Sequence, residues 1–308
     1  MGLRIRTNIA SINAQRRLSL ATASVTESMH KLASGKRINK AADDAAGLAI
    51  SENLRADIRS LEQAKRNAND GVSLVQTAEG ALVETANMLV RLRELAVQSA
   101  SDTLGPEERD FLDKEYIALK DEIDRITNAT EFNGTRLIVG TSDNVPEEIK
   151  NPEATFPLEI QVSKDYYQEA DSLPERNPVN IIKINLEDIN TYTSGEGSLD
   201  IGTADEGTRV NSKVAAQNSI MKLDTAITSV NDHRAYLGAI QNRLTSTVNN
   251  LGVQVENLSA AKSRIQDTDF ASESSKYTSS SILQQAGTAI LGSANQQPQV
   301  ALSLIQNI

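Results

Sequence analysis

The stretch LRADIRSLEQAKRNANDGVSLVQTAEGALVETANMLVRLRELA, residues 54–96, decides the fold. Leu54, Leu61, Ala68, Val75, Leu82, Leu89 and Ala96 recur in it at an unbroken seven-residue spacing. Ile58 and Val72 begin a second stripe beside the first, which Lys65 and Glu79 interrupt. A seven-residue apolar repeat held over this length marks one face of a single long helix, and that face packs on other helices. A matching series lies far downstream, at Leu223, Val230, Leu237, Leu244, Leu251, Leu258 and Ile265. Its companions are Ile227, Val248 and Val255, interrupted by Arg234 and Gln241. Two stripes of equal length on either side of a different kind of segment predict antiparallel packing that brings the chain ends together. The expected class is mainly α: a long antiparallel helical bundle or coiled-coil rod, a small β-hairpin element, and paired N- and C-terminal helical arms.

Working outward, helical patterning opens at Ile5, Ile9 and Ile12, continues through Leu18, Val25, Met29 and Leu32, and stops at Ser34-Gly35. Glycine suits a helix C-cap, and Lys31 places positive charge in the last turn. A connector, 36–40, leads to Asp43-Asp44, a plausible start for the long helix. Past residue 99 a break falls at Thr103-Leu104-Gly105-Pro106, where proline fits a helix's first turn and Glu107-Glu108 suit its positive end. Leu112, Tyr116, Leu119, Ile123 and Ile126 then form another stripe, and Asn133-Gly134 is a type I′ turn signal.

Residues 141–207 change character. Five of the seven prolines lie between Pro146 and Pro178. Leu158–Val162 and Val179–Leu186 read as strands, and the long polar loop 166–178 between them reads as an exposed excursion. From Asp102 to Arg209 about 25 acids face about 10 bases, against a net charge of −10 for the whole chain. The plain meaning of that acidic middle is a solvated face. The expected segments are 1–45 as an N-terminal arm paired with 266–308; 46–140 as helices and a hairpin turn; 141–207 as a β-rich, acidic, exposed part; 208–265 as a long C-terminal helix; and 266–308 as the C-terminal arm.

The two ends do not look self-sufficient. From Tyr277 to Ile308 there is no charged side chain, yet Ile282, Leu283, Ala286, Ile290, Leu291, Val300, Leu302, Ile305 and Ile308 keep helical spacing. Chain ends are normally polar and frayed. An uncharged amphipathic end needs cover, so these residues, with Ile5, Ile9 and Ile12, are the candidates for assembly. Burying one arm's apolar side chains against a single partner does not offset the entropy of ordering about 30 residues. The arms are therefore expected to order when further subunits cover them.

Chemistry is poorly provided for. There is no cysteine, which excludes disulfides, thiolate metal sites and cysteine nucleophiles. His30 and His233 are about 200 residues apart, each on a helical pattern, and read as ordinary helix-surface histidines. Gly195-Glu196-Gly197 lacks the third glycine of a dinucleotide fingerprint. Asp43-Asp44 and Asp267 with Asp269 are explained more simply by helix N-terminal charge than as metal ligands. The Asn-X-Ser/Thr tripeptides at Asn128, Asn133 and Asn257 are of a kind common by chance, while Thr141, Ser142, Thr191, Thr193 and Ser194 read as surface hydroxyls. No catalytic residue, cofactor or metal is expected. The net negative charge argues against nucleic-acid binding, and no stretch of about 20 apolar residues calls for membrane insertion. The start, Met1–Thr7, lacks the apolar region of a signal peptide.

Several stretches carry a family likeness. Residues 37–50, Arg-Ile-Asn-Lys-Ala-Ala-Asp-Asp-Ala-Ala-Gly-Leu-Ala-Ile, resemble the signature of bacterial flagellins. So do 64–71 (Ala-Lys-Arg-Asn-Ala-Asn-Asp-Gly), 91–98 (Arg-Leu-Arg-Glu-Leu-Ala-Val-Gln), 263–270 (Ser-Arg-Ile-Gln-Asp-Thr-Asp-Phe) and 282–289 (Ile-Leu-Gln-Gln-Ala-Gly-Thr-Ala). The resemblance spans the chain outside roughly 141–207 and implies a short flagellin with inner and rod domains only. It implies a structural subunit that polymerises into the flagellar filament for swimming, its terminal helices lining the filament core. It further implies export through the flagellar type III apparatus without a cleavable leader, an export chaperone on the C-terminal arm, and junction and cap proteins as partners. Recognition by a vertebrate Toll-like receptor is implied through Arg91, Leu95, Gln98 and Glu115. A hook–filament junction protein and a secreted coiled-coil interaction protein are the alternatives.

Overall fold

The computed structural model describes residues 7–140, 157–165, 180–194, 198–203 and 207–306, with side chains as far as 296. Its described elements run α1 (Ile9–Ser34), α2 (Ala45–Ser99), α3 (Pro106–Ala129), β1 (Glu131–Phe132), β2 (Thr135–Arg136), β3 (Leu158–Gln161), β4 (Ile181–Ile184), α4 (Lys213–Gln266) and α5 (Phe270–Gln306). The chain divides into two compact units, one of Met1–Ile58 with Glu256–Ile308 and one of Arg59–Val255.

The helix boundaries follow the local chemistry. Gly35 ends α1 in the left-handed conformation, φ 68°, which a side chain disfavours. Asp44 starts α2: its Oδ1 accepts the Gly47 N–H at 2.9 Å. Asp269 does the same for α5, accepting from the Ala271 and Ser272 amides. Pro106 opens α3 with Glu107 and Glu108 in its first turn. Helix starts thus account for Asp44 and Asp269. Asp43 instead holds the preceding connector, its Oδ2 accepting the Asn39 and Lys40 amides.

The second unit is the body of the molecule and holds the main core. Of the first seven-residue series, Leu61, Ala68, Val75, Leu82, Leu89 and Ala96 are buried; of the second, Leu223, Val230, Leu237, Leu244 and Leu251. The two helices run antiparallel, linked by Arg93 Nε to Asp224 Oδ1 at 2.6 Å and by Ser99 Oγ donating to the Val210 carbonyl near their far ends. β1 and β2 form the tight hairpin, with Asn133 at φ 51° and Gly134 at φ 79° in its turn. β3 and β4 pair antiparallel, Leu158 opposite Ile184 and Gln161 opposite Ile181. That ribbon lies on α2, where Asn67 Nδ2 donates to the Gln161 carbonyl. Gly71 faces the ribbon there, and a Cβ on it would meet the end of the Ile160 side chain.

Two expectations are corrected. The α3 stripe is rotated: the residues it buries are Asp113, Tyr116, Lys120, Ile123 and Thr127, while Leu112, Leu119 and Ile126 are half-buried. The reason is the partner, since Thr193, Thr203, Thr208 and Val210 bring to α3 backbone groups that need donors and acceptors. The reading of 141–207 as exposed also fails for part of its described residues. Its described residues include Ile181, Ile182, Ile184, Leu186, Ile189, Leu199 and Ile201, all in the core. Thr191 and Thr193 are buried and hydrogen-bonded, so neither is a surface hydroxyl. The loop 166–178, Thr141 and Ser142 lie outside the described residues.

Candidate functional site

α1 and α5 form the antiparallel pair expected of the arms. Polar side chains tie them along their length. Asn8 caps α1 by accepting the Ser11 N–H and donates its own Nδ2 to the Ala294 carbonyl at 2.7 Å. Ser11 Oγ donates to Asn295 Oδ1, Gln284 Nε2 to Thr22 Oγ1, and the Ser24 and Ser280 hydroxyls meet at 3.0 Å. Behind these contacts the buried seam is narrow, made of Ser28, Ser280 and Ala294.

Half-buried Leu18 packs on Gly287 beside that seam, and Val25, Leu32 and Leu291 are half-buried as well, but other large apolar side chains lie outside it. Ile9, Ile12, Leu20 and Met29 on α1, and Phe270, Ile282, Leu283 and Ile290 on α5, are exposed. Of the residues expected to serve assembly, Ile9, Ile12, Leu283 and Ile290 are therefore exposed, and Leu291 is half-buried. Ile5 lies outside the described residues, as do the side chains of Val300, Leu302 and Ile305. An open groove of about 730 Å3 runs beside α1, lined in part by Leu18, Thr22, Thr26, His30 and Asn39. A helix pair with an apolar outer surface and a side groove can take up further helices by burying that surface.

The second candidate surface joins α2 and α3. Arg91 lies between two carboxylates: Nη2 is 2.7 Å from Glu115 Oε1 and Nη1 is 3.1 Å from Glu94 Oε2. Its guanidinium is held above its ordinary pKa, first by Glu115 and then by Glu94. Gln98 is exposed about two turns along α2 from Arg91. Leu95 is different. It is 0% exposed and belongs to the core, so it supports this surface from beneath and presents nothing to a partner. The structure thus brings Arg91, Gln98 and Glu115 to one surface and removes Leu95 from it.

The histidines join no reactive cluster. His30 is exposed on α1. His233 is half-buried on α4, where burial holds its imidazole below the ordinary range. Asn128 is occupied: its Nδ2 donates to the Asp124 carbonyl and its Oδ1 accepts from Tyr192 OH. No helix among the described residues is long and apolar enough to cross a membrane.

Periodicity missed one functional feature, the polar ladder on α3. Asp113 accepts the Val210 N–H through Oδ1 and pairs Arg209 through Oδ2 at 2.6 Å. Lys120 Nζ donates to the Thr203 and Thr208 carbonyls at 2.5 and 3.1 Å. Asp124 accepts the Thr193 N–H and hydroxyl. Tyr116 OH donates to Thr208 Oγ1. Burial lowers the Lys120 ammonium to about 8 and raises the Asp124 carboxyl. A spacing of three to four residues from 113 to 127 was the available signal, but an apolar stripe search ignores polar members.

Comparison with known proteins agrees with this geometry. The chain matches the bacterial flagellin N-terminal helical region over residues 5–143 and the bacterial flagellin C-terminal helical region over residues 220–305. It is 42% identical to flagellin of Bacillus subtilis (strain 168), across 99% of this chain and 100% of that one. With flagellin of Halalkalibacterium halodurans the identity is 40%, across 98% and 99%. A solved Vibrio parahaemolyticus structure, assigned provisionally as a flagellar hook-associated protein, superposes with a TM-score of 0.54 over 73% of this chain and 100% of that one. At 15% identity that likeness concerns the fold alone. With nearly full-length identity to curated flagellins and both terminal regions matched, the chain belongs to the bacterial flagellin family.

Proposed function

We propose that this flagellin builds its filament by covering the outward apolar faces of α1 and α5 with the same faces of neighbouring copies. As a family member it is a structural subunit that self-polymerises into the extracellular flagellar filament. The observation that carries the finer reading is the exposure of Ile9, Ile12, Leu283 and Ile290 on a pair whose fully buried seam is small. The pair alone buries too little to be firmly ordered, and neighbours complete it. In this reading 1–45 and 266–308 are the assembly arms, and 46–265 are the remainder of the subunit. Val300, Leu302 and Ile305 continue the arm's apolar series and are assigned to the same contact.

An export chaperone that shields the uncharged C-terminal arm before assembly fits the same exposure, as do the type III export apparatus and junction and cap proteins at the filament's ends. Receptor recognition is assigned to the exposed set Arg91, Gln98 and Glu115, with Leu95 as the support beneath. Full-length identity to flagellins favours the filament subunit over a junction protein or a secreted coiled-coil module.

Seeded polymerisation of purified protein tests the reading. Long filaments that disappear when 277–308 are removed are expected. Equal polymerisation with and without that segment would refute the role given to the arm. For the receptor, purified monomer should activate receptor-bearing cells as a standard flagellin does, and silence there would remove that assignment.

A further inference from the structure

The two arms meet the rest of the first unit through connectors that are themselves fastened together. Lys36 and Asp267 form an antiparallel bridge. The Arg37 N–H donates to the Gln266 carbonyl at 2.7 Å, the Ile38 N–H to the same oxygen at 3.4 Å, and the Thr268 N–H to the Gly35 carbonyl at 3.0 Å. The Arg37 side chain adds Nη2 to the Ile265 carbonyl at 2.7 Å, so one residue satisfies two carbonyls in the last turn of α4. Ile38 is 2% exposed, and its Cδ1 lies where a Cβ on Gly47 would approach to 2.7 Å. The helix ends beside this clasp are capped: Gly35 closes α1, Asp44 opens α2 and Asp269 opens α5. Within the first unit, then, the connectors hold a buried apolar residue and a backbone ribbon, whereas the arms beyond them hold a thin polar seam.

We propose that this clasp is the nucleus from which the two arms zip together. It rests on the reading of the arms as assembly elements. The physical reason lies in the order of events. The pairing of α2 with α4 in the body already closes most of the loop between residues 35 and 268, and closing what remains is an entropy loss that the first arm contact would otherwise bear. A helix also needs a costly first turn before it propagates. The clasp removes both obstacles, because it juxtaposes the C-terminal end of α1 with the N-terminal end of α5 and caps each. Pairing then spreads residue by residue, through Ser24–Ser280 and Thr22–Gln284, to the Asn8–Ala294 contact that closes the far end. Arg37 is a positioning residue in this scheme, since it acts through the α4 carbonyls and not through a partner subunit.

The absence of native cysteine allows a direct test on the full chain. Lys36→Cys with Asp267→Cys should form an intramolecular disulfide in the monomer, and the oxidised protein should polymerise at a critical concentration no higher than its reduced form. Arg37→Ala should raise the critical concentration roughly tenfold by removing a charged hydrogen bond, while the melting of the body stays put. Arg37→Lys, which can still donate to one carbonyl, should recover part of that loss. A cysteine pair that fails to oxidise in the folded monomer overturns the proposal. So does an oxidised protein that cannot polymerise while its reduced form can, or an Arg37→Ala protein with the wild-type critical concentration. Failure of the wild-type chain to form filaments would refute the filament reading itself, a result separate from these.

Discussion

The arms and the body of this protein use opposite designs. In the body, α2, α3 and α4 bury long apolar series, and the backbone groups of Thr193, Thr203, Thr208 and Val210 are satisfied by Asp124, Lys120 and Asp113 of α3. In the arms, α1 and α5 fully bury only Ser28, Ser280 and Ala294 among the described residues, leave Ile9, Ile12, Leu20, Ile282, Leu283 and Ile290 exposed, and half-bury Leu18, Leu32 and Leu291. A buried polar ladder is stable only when every member is paired, which the body achieves internally. An apolar outer surface is stable only when something covers it. One region thus satisfies its polar and apolar groups internally, and the other leaves apolar side chains without internal cover.

The largest effect should come from adding a charge to the arms. Leu291→Asp, or Leu302→Asp, is expected to abolish seeded polymerisation while thermal melting of the body is unchanged, because an unpaired carboxylate at a covered apolar contact is strongly penalised. Equal damage to polymerisation and to melting would erase the contrast between the regions. Asp113→Ala should do the reverse. It strands the buried Val210 N–H and removes the Arg209 ion pair, lowering body stability by about 2 kcal/mol in denaturant melts. Below its melting temperature the variant should still polymerise.

The pH dependence sharpens the same division. Lys120 titrates at about 8 in the folded body, below the unfolded value. Between those two values the unfolded chain carries a proton that the native one lacks, so this group's contribution to stability rises with pH across that window. Its penalty is fully present below about pH 8 and vanishes above the unfolded pKa. Lys120→Met should therefore flatten the rise in melting temperature between pH 8 and 10 relative to wild type. An unaltered profile would mean that the ammonium does not feel its burial. The smallest effect is expected from Arg91→Ala, where an exposed ion pair is removed: melting should stay at the wild-type value, and only the cell-activation assay should change.

Much of this was legible in residues alone. The seven-residue series from Leu61 to Ala96 and from Leu223 to Leu251 name the core of α2 and α4, because a helix that packs along its whole length repeats its apolar face at a fixed period. Gly35, Asp44, Pro106 and Asn133-Gly134 mark their turns by chemistry that acts within a few residues. The burial of Lys120 and Asp124 was not legible. A charged residue on a helix reads as solvated until the chain that covers it is known, and that chain lies some 80 residues away in sequence. Leu95 illustrates the converse. Its place beside Arg91 and Gln98 in sequence suggests a shared surface, yet one helical step turns it into the core.

The central claim, that the body is complete and the arms are not, is tested most directly by amide hydrogen exchange on the monomer and on the assembled filament. The account predicts slow exchange for α2, α3 and α4 amides of the body in both states. Amides along α1 and α5, away from the connectors, should exchange fast in the monomer and slowly in the filament. Strong protection of the α1 and α5 amides in the free monomer, equal to that of the body, would contradict it.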